Sequence, residues 1–281
     1  MTTTSAEPLD DVRRAELVST LHTDGIVGLK GAFDPAWVDR LNTDVLAAFD
    51  EARSREGGAV SRGPQRWYIE VHPEQLRGFP ELASHPWIVG LATAVLGPDY
   101  EIVEVGFDIP FADAVDQPWH RDFPMPEPTR RERRLTSLAV NVTTVDTAQD
   151  MGPFEIAPGT QFDDGAAFDH QMFPPKSIWD RYRERAVRKY PQRGDISVRS
   201  ALTIHRGTAN HSRLSRPVLV LGLDAPGAGN AEHHDAAVTP GYRQALPPVV
   251  REHLHCPVVD RLEPIVQKHT IEGLVMGVDE D

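Results

Sequence analysis

His120 and Asp122 stand two residues apart in the stretch Trp119-His120-Arg121-Asp122. Before them lies a strand-like run (101–107), and after them a proline-broken loop (123–128). In extended backbone, side chains two apart leave the same face. The imidazole and the carboxylate can therefore converge on one point. One imidazole and one hard oxygen suit Fe(II), and a second histidine would complete a two-His, one-carboxylate facial triad with coordination positions left open. The same spacing also occurs in plain turns whose Asp caps a neighbour. Two histidines about 85 residues later can supply the third ligand. His205 follows the apolar run Leu202-Thr203-Ile204, read as a strand that ends on the histidine. His211 lies in the polar turn Asn210-His211-Ser212.

Other local patterns surround these residues. Met151-Gly152-Pro153 and Pro158-Gly159-Thr160 bracket the short run Phe154-Glu155-Ile156-Ala157, with tight turns at both ends. Gly194-Asp195 turns into the run Ile196-Ser197, and Arg216 opens the apolar run Pro217 to Leu221. The guanidinium at 216 is a planar fork suited to a carboxylate; its bland alternative is a surface arginine, like its neighbour Arg213. The other histidines, His22, His72, His85, His170, His233, His234, His253, His255 and His269, read as solvated or capping groups. Cys256 reads as a small apolar packing residue.

The elements that must position these groups follow from periodicity. Asp10 or Asp11 caps a helix that ends near Asp24-Gly25. Ile26 to Leu29 is a short strand. Asp34-Pro35 starts a second helix whose apolar face runs Trp37, Val38, Leu41, Val45, Leu46 and Phe49. Residues 54–64 read as a loop, 66–71 as a strand, and 85–97 as a helix closed by Gly97. From Tyr100 the period changes to that of strands, at 101–107, 138–145, 154–157, 196–199, 201–205 and 217–223. A polar helix is expected around 177–188, and one or two short helices after Pro240. Helices first, strands next and a helical tail make an α+β protein in which helices brace a sheet or barrel.

Composition narrows the function. Lys plus Arg number 29 against 42 Asp plus Glu, a net charge of −13 that argues against non-specific nucleic-acid binding. A single cysteine excludes an intramolecular disulfide framework and fits a reducing compartment. There is no signal-like apolar segment at the start and no run of about 18 apolar residues. The expectation is a soluble cytoplasmic protein without membrane or nucleic-acid partners, monomeric or homodimeric, with residues 1–9 a disordered tail and 10–281 one domain.

The order of the motifs resembles the phytanoyl-CoA dioxygenase group of Fe(II)- and 2-oxoglutarate-dependent oxygenases. Members carry W-H-x-D, then N-G-P/C and P-G-[ST]-H, then G-D, H-x-[GS], N-x-S and Arg. The likeness runs from about Leu17 to Leu223 and includes the entry Asp24 to Phe33 and the helix after His85. It departs at Met151, where the family often has Asn, and at Gln161, where it often has His; neither position is a metal ligand in the family. The resemblance implies a double-stranded β-helix, or jelly-roll, core. It also implies His120, Asp122 and His205 as the facial triad, and Arg216 as the partner of the far carboxylate of 2-oxoglutarate. Asn141 would lie on the strand facing the co-substrate.

Cofactors would then be Fe(II), 2-oxoglutarate and O2. The expected reaction is hydroxylation of an unactivated C–H of a small molecule, with release of succinate and CO2. Family halogenases replace the carboxylate by Gly or Ala, so Asp122 favours oxygen insertion; desaturation, cyclisation and epimerisation use the same residues. Arg130, Arg131, Arg133 and Arg134 could recognise an anionic substrate group, or simply form a solvated loop paired with Glu127 and Glu132. Phe107, Trp119, Phe123 and Trp179 could line an apolar pocket or pack in the core. Rival readings are a cupin-like metal oxygenase that takes no keto acid, and a ligand-binding module without turnover.

Overall fold

The computed structural model describes residues 9–268. All but Leu9 of the expected disordered tail, and His269, lie outside the described residues. Asp10 caps α1 (Asp11–Asp24) by accepting from the Arg13 amide at 2.7 Å. Gly25 closes the helix at φ 78°, in the left-handed region that favours glycine. β1 (Ile26–Leu29) leads to α2 (Pro35–Arg53), capped by Asp34 with proline in its first turn. The stretch expected as a loop holds a two-residue strand, β2 (Val60–Ser61), paired with β3 (Arg66–Glu70). α3 (Phe79–Ala83) and α4 (Pro86–Leu96) complete the N-terminal helices.

β4 (Glu101–Pro110) is followed by α5 (Glu127–Glu132), a short helix inside what the prolines suggested was loop. Pro128 sits at its start, where a missing N–H costs nothing. β5 (Ser137–Thr143) and β6 (Phe154–Ile156) come next. The polar helix expected around 177–188 is shorter. A 3-10 turn (Lys176–Ile178) runs into α6 (Trp179–Arg183), and β7 (Val187–Lys189) is a strand instead. It pairs with β6, with Arg188 opposite Glu155 and bonded to it at 2.9 Å. β8 (Ile196–Ser200), β9 (His205–Gly207) and β10 (Val218–Asp224) are followed by α7 (Pro240–Ala245) and α8 (Pro248–His253).

A seven-stranded antiparallel sheet has the order β1-β8-β5-β10-β4-β3-β2, and a three-stranded one the order β7-β6-β9. The expected strand over 201–205 is corrected here. Residues 201–204 form a turn, with the Thr203 amide donating to Ser200 O at 3.1 Å, and His205 opens β9 rather than ending a strand. The reason is topological: β8 belongs to the large sheet and β9 to the small one, so the chain must turn a corner between them.

Strand alternation divides the large sheet into two faces. Ile69, Val105, Phe107, Leu138, Val140, Val198, Leu219 and Leu221 face the helices and join Leu21, Trp37, Leu41 and Leu91 in one apolar core. Glu104, Asp108, Ala139, Asn141, Ser197, Arg199, Val218 and Val220 face a cavity that the small sheet also lines through Phe154 and His205. The α+β, jelly-roll-like expectation is met. No helix among the described residues is long and apolar enough to cross a membrane.

Candidate metal centre

His120 is tied to the first residue of β9 by a two-way backbone bridge: its amide donates to His205 O at 3.0 Å, and the His205 amide donates back at 2.9 Å. The two imidazoles thus face each other with ring centroids 4.4 Å apart. Arg121, between the ligand candidates, turns its guanidinium onto the Phe168 ring (4.7 Å) and Asp163 O (2.8 Å). Asp122 is left on the same side as His120, as the two-residue spacing requires. One ligand atom from each of His120, Asp122 and His205 lies within 4.8 Å of the others. Asp122 Oδ1 is 3.3 Å from His205 Nε2, close to the roughly 3 Å expected of two ligands at right angles on one first-row ion.

Both imidazoles are oriented by backbone carbonyls. His120 Nδ1 donates to Pro118 O at 2.8 Å, and His205 Nδ1 donates to Thr203 O at 2.9 Å. A carbonyl can only accept, so Nδ1 carries a proton in each ring and Nε2 is the nitrogen turned toward a metal. Burial, with the neighbouring His205, pushes the His120 imidazole down to about 3, so it is neutral near pH 7. Burial alone would raise the Asp122 carboxyl. The Arg199 guanidinium and His205 more than offset that and hold it well below the usual carboxylate range. Two imidazoles presenting Nε2 and an ionised carboxylate are the donor set that Fe(II) takes, so the residues present fit such an ion.

Beside this centre lies a cavity of about 610 Å3, lined by the triad, Arg216, Asn141 and Phe123 among others. Arg216 is 3 % exposed and donates from Nε to Met151 O at 3.1 Å. Burial, with Arg66 nearby, lowers its guanidinium to about 10, still charged at pH 7. Met151, a departure from the family pattern, therefore touches the co-substrate candidate through its carbonyl. Gln161, the other departure, donates to His22 O at 2.6 Å at the end of α1.

Apart from Phe123, the aromatic and basic substrate candidates do not reach the cavity wall. Phe107 points to the helix-packed face of β4, since alternation sends it opposite Glu104 and Asp108. Trp119 is fully buried in a second apolar cluster with Tyr182, under the Arg206 guanidinium. Arg130 is exposed and 3.6 Å from Glu127, the solvated pairing that was the bland alternative, and Arg131 also lies off the wall. Trp179 packs at the edge of the second cluster. His211 is exposed and away from the triad. His85 accepts from the Trp87 amide at the start of α4, as a capping group does, whereas His72 is buried and accepts from the distant Ala237 amide at 2.9 Å.

The sequence reading missed Arg199, Tyr68 and Glu104. Arg199 was legible as a charged residue on the inner register of the alternating run Ile196-Ser197-Val198-Arg199. Tyr68 donates to Glu104 Oε1 at 2.5 Å on the cavity wall. Its ring lies over Gly106, where a Cβ would come within 2.3 Å of the phenol oxygen. Burial, then the nearby acids, raises the Glu104 carboxyl.

The sequence matches the Phytanoyl-CoA dioxygenase (PhyH) family over residues 21–218. No curated protein matches the chain. Among solved structures, the non-heme alpha ketoglutarate dependent carbocyclase SnoK from nogalamycin biosynthesis is 20% identical, with a TM-score of 0.61 over 83% of this chain and 93% of that one. The epimerase SnoN from the same biosynthesis is 19% identical, with a TM-score of 0.57 over 78% of this chain and 90% of its own. SnoN in complex with Fe3+, alpha ketoglutarate and nogalamycin RO is 21% identical, with a TM-score of 0.57 over 78% and 93%. At these identities the likeness is one of fold.

Proposed function

The chain belongs to the phytanoyl-CoA dioxygenase family, and from that premise we propose that it is an Fe(II)- and 2-oxoglutarate-dependent oxygenase that hydroxylates a C–H bond of a small molecule. The observation that carries this reading is the convergence of His120, Asp122 and His205 within 4.8 Å, on a cavity that also holds the buried Arg216. Fe(II) with 2-oxoglutarate and O2 supplies the oxidation, releasing succinate and CO2. The chain supplies the rest. His120 and His205 present Nε2, Asp122 presents a carboxylate oxygen, and Arg216 meets the far carboxylate of the keto acid as a charge-assisted pair. Asn141 stands on β5, which pairs with β10, the strand that follows Arg216, and its side chain is on the cavity wall. The cavity has the size of a small-molecule site.

The test is an anaerobic titration with Fe(II) and 2-oxoglutarate, read by the charge-transfer band of the complex. The band is expected in the wild type and in His211→Ala and absent in His205→Ala; the reverse pattern would sink the ligand assignment. A substrate screen read by succinate release and by the mass gain of one oxygen atom tests hydroxylation. A second reading, epimerisation or ring closure by the same residues, is favoured by the activities named for the solved structures of this fold. It predicts succinate with a product lighter by two hydrogens for ring closure, or, for epimerisation, a product of unchanged mass with two electrons drawn from a reductant added to the assay.

A further inference from the structure

We infer that Arg199 is a positioning residue for Asp122: its guanidinium engages one carboxylate oxygen and so commits the other to the metal. The inference rests on the iron reading above. Arg199 Nη1 lies 2.6 Å from Asp122 Oδ2, whereas Nη2 lies 3.3 Å from Oδ1. The contact is lopsided, and Oδ1, the oxygen held less closely, is the one 3.3 Å from His205 Nε2. Oδ2 is therefore taken up by the arginine, while Oδ1 stands 3.3 Å from both Nη2 and His205 Nε2.

The arginine is held to this task. It sits on β8 between β1 and β5, opposite Ile26 and Ala139, and is 4 % exposed. Its guanidinium carbon stands 5.7 Å from the Phe154 ring centroid, and Nε has no hydrogen-bond partner among the described residues. A buried arginine is costly unless it is paired, and Asp122 is the carboxylate that pairs it, chiefly through Oδ2. The consequence concerns coordination number. A facial triad leaves three positions, which a bidentate keto acid and O2 fill. A carboxylate that bound through both oxygens would take one of them. By holding Oδ2, Arg199 keeps Asp122 a single-oxygen ligand.

The experiment uses the full chain, stripped of metal and titrated with Co(II) in the absence of 2-oxoglutarate, read by visible absorption and calorimetry. Removal of a group that orients a metal ligand typically weakens metal binding about 10- to 100-fold. Arg199→Met is expected to lose that much. Arg199→Lys is expected to recover part of the loss, because an ammonium supplies the charge but not the fork. Arg213→Ala, at an exposed arginine off the cavity wall, is expected to leave Co(II) affinity unchanged, which separates positioning of the metal ligand from a general loss of positive charge. Co(II) affinity in folded Arg199→Met equal to or tighter than the wild type would overturn the inference. So would equal losses in the Met and Lys variants with a matching fall in metal-free melting temperature, which would assign Arg199 to packing. A wild type that fails to bind Co(II) would sink the iron reading itself.

Discussion

At His205 one hydrogen bond decides which nitrogen is offered to a metal. Nδ1 is spent on Thr203 O, and the same device operates at His120 through Pro118 O. Each acceptor is the carbonyl two residues before its histidine, so the tautomer is fixed by local chain path rather than by a remote side chain. Arg216 is specified differently, by burial beside Met151 O and by its place before the inner face of β10. Losing a charge-assisted bond costs about 1.5–3 kcal/mol. Arg216→Ala should therefore raise the apparent 2-oxoglutarate KM roughly 10- to 100-fold, measured as succinate release. An unchanged KM would remove Arg216 from the keto-acid site, and a wild type that oxidises substrate without forming succinate would favour a metal oxygenase that takes no keto acid.

Two connecting elements carry these residues. The turn at 201–204 is braced by the end of α1: Ser200 N donates to Gly25 O at 2.9 Å, and Thr203 Oγ1 donates to the same oxygen at 3.2 Å. A Cβ on Gly25 would fall 2.2 Å from Thr203 Oγ1, at a positive φ. Gly25→Ala should cost about 1–3 kcal/mol in urea denaturation, and should weaken metal binding because Thr203 O orients His205. Normal metal affinity in the destabilised variant would break that link. The stretch after β10 is tied to β3 by Glu70, which accepts from Asp235 N and Ala236 N and pairs with His234 at 3.5 Å. Burial opposes the charge on His234, but Glu70, Glu104 and Asp224 more than offset it and raise its pKa. With a raised folded value, the stabilisation is complete below the unfolded value of about 6.5. It is lost as pH rises through the folded value. The stability gap between wild type and His234→Gln should narrow as pH rises from 6 to 9 in denaturant titrations, and a gap flat in pH would refute the pairing.

On the scale of the whole molecule, the jelly roll gives each sheet one face for the core and one for the chemistry. The large sheet buries its outer face under α1, α2, α3 and α4, which leaves its inner face free to carry Glu104, Asn141 and Arg199. The triad stands where residues 120–122 meet the first residue of the small sheet, so a bound metal joins segments far apart in sequence. Ligands that bind only the folded chain stabilise it by mass action, about 4 kcal/mol at 1,000 times Kd. Co(II) with 2-oxoglutarate should raise the melting temperature of the wild type by several degrees and leave His120→Ala unmoved, read by calorimetry without oxygen. An equal shift in both would place the metal elsewhere.

The sequence by itself determined what depends on neighbours along the chain. The caps at Asp10, Gly25 and Asp34, the helical faces, the strand alternation and the shared side of His120 and Asp122 are local consequences of residue order. So was the choice of His205 over His211, through the order of motifs. Tertiary structure alone decided what depends on the route between elements. It made 201–204 a corner rather than a strand, since β8 and β9 lie in different sheets. It turned Phe107 into the core, buried Trp119 in a second cluster and left Arg130 in solvent. It also brought Arg199, 77 positions from Asp122, onto that carboxylate. Register between strands is set by packing over the whole sheet, and no spacing along one strand encodes which residue will stand across from it.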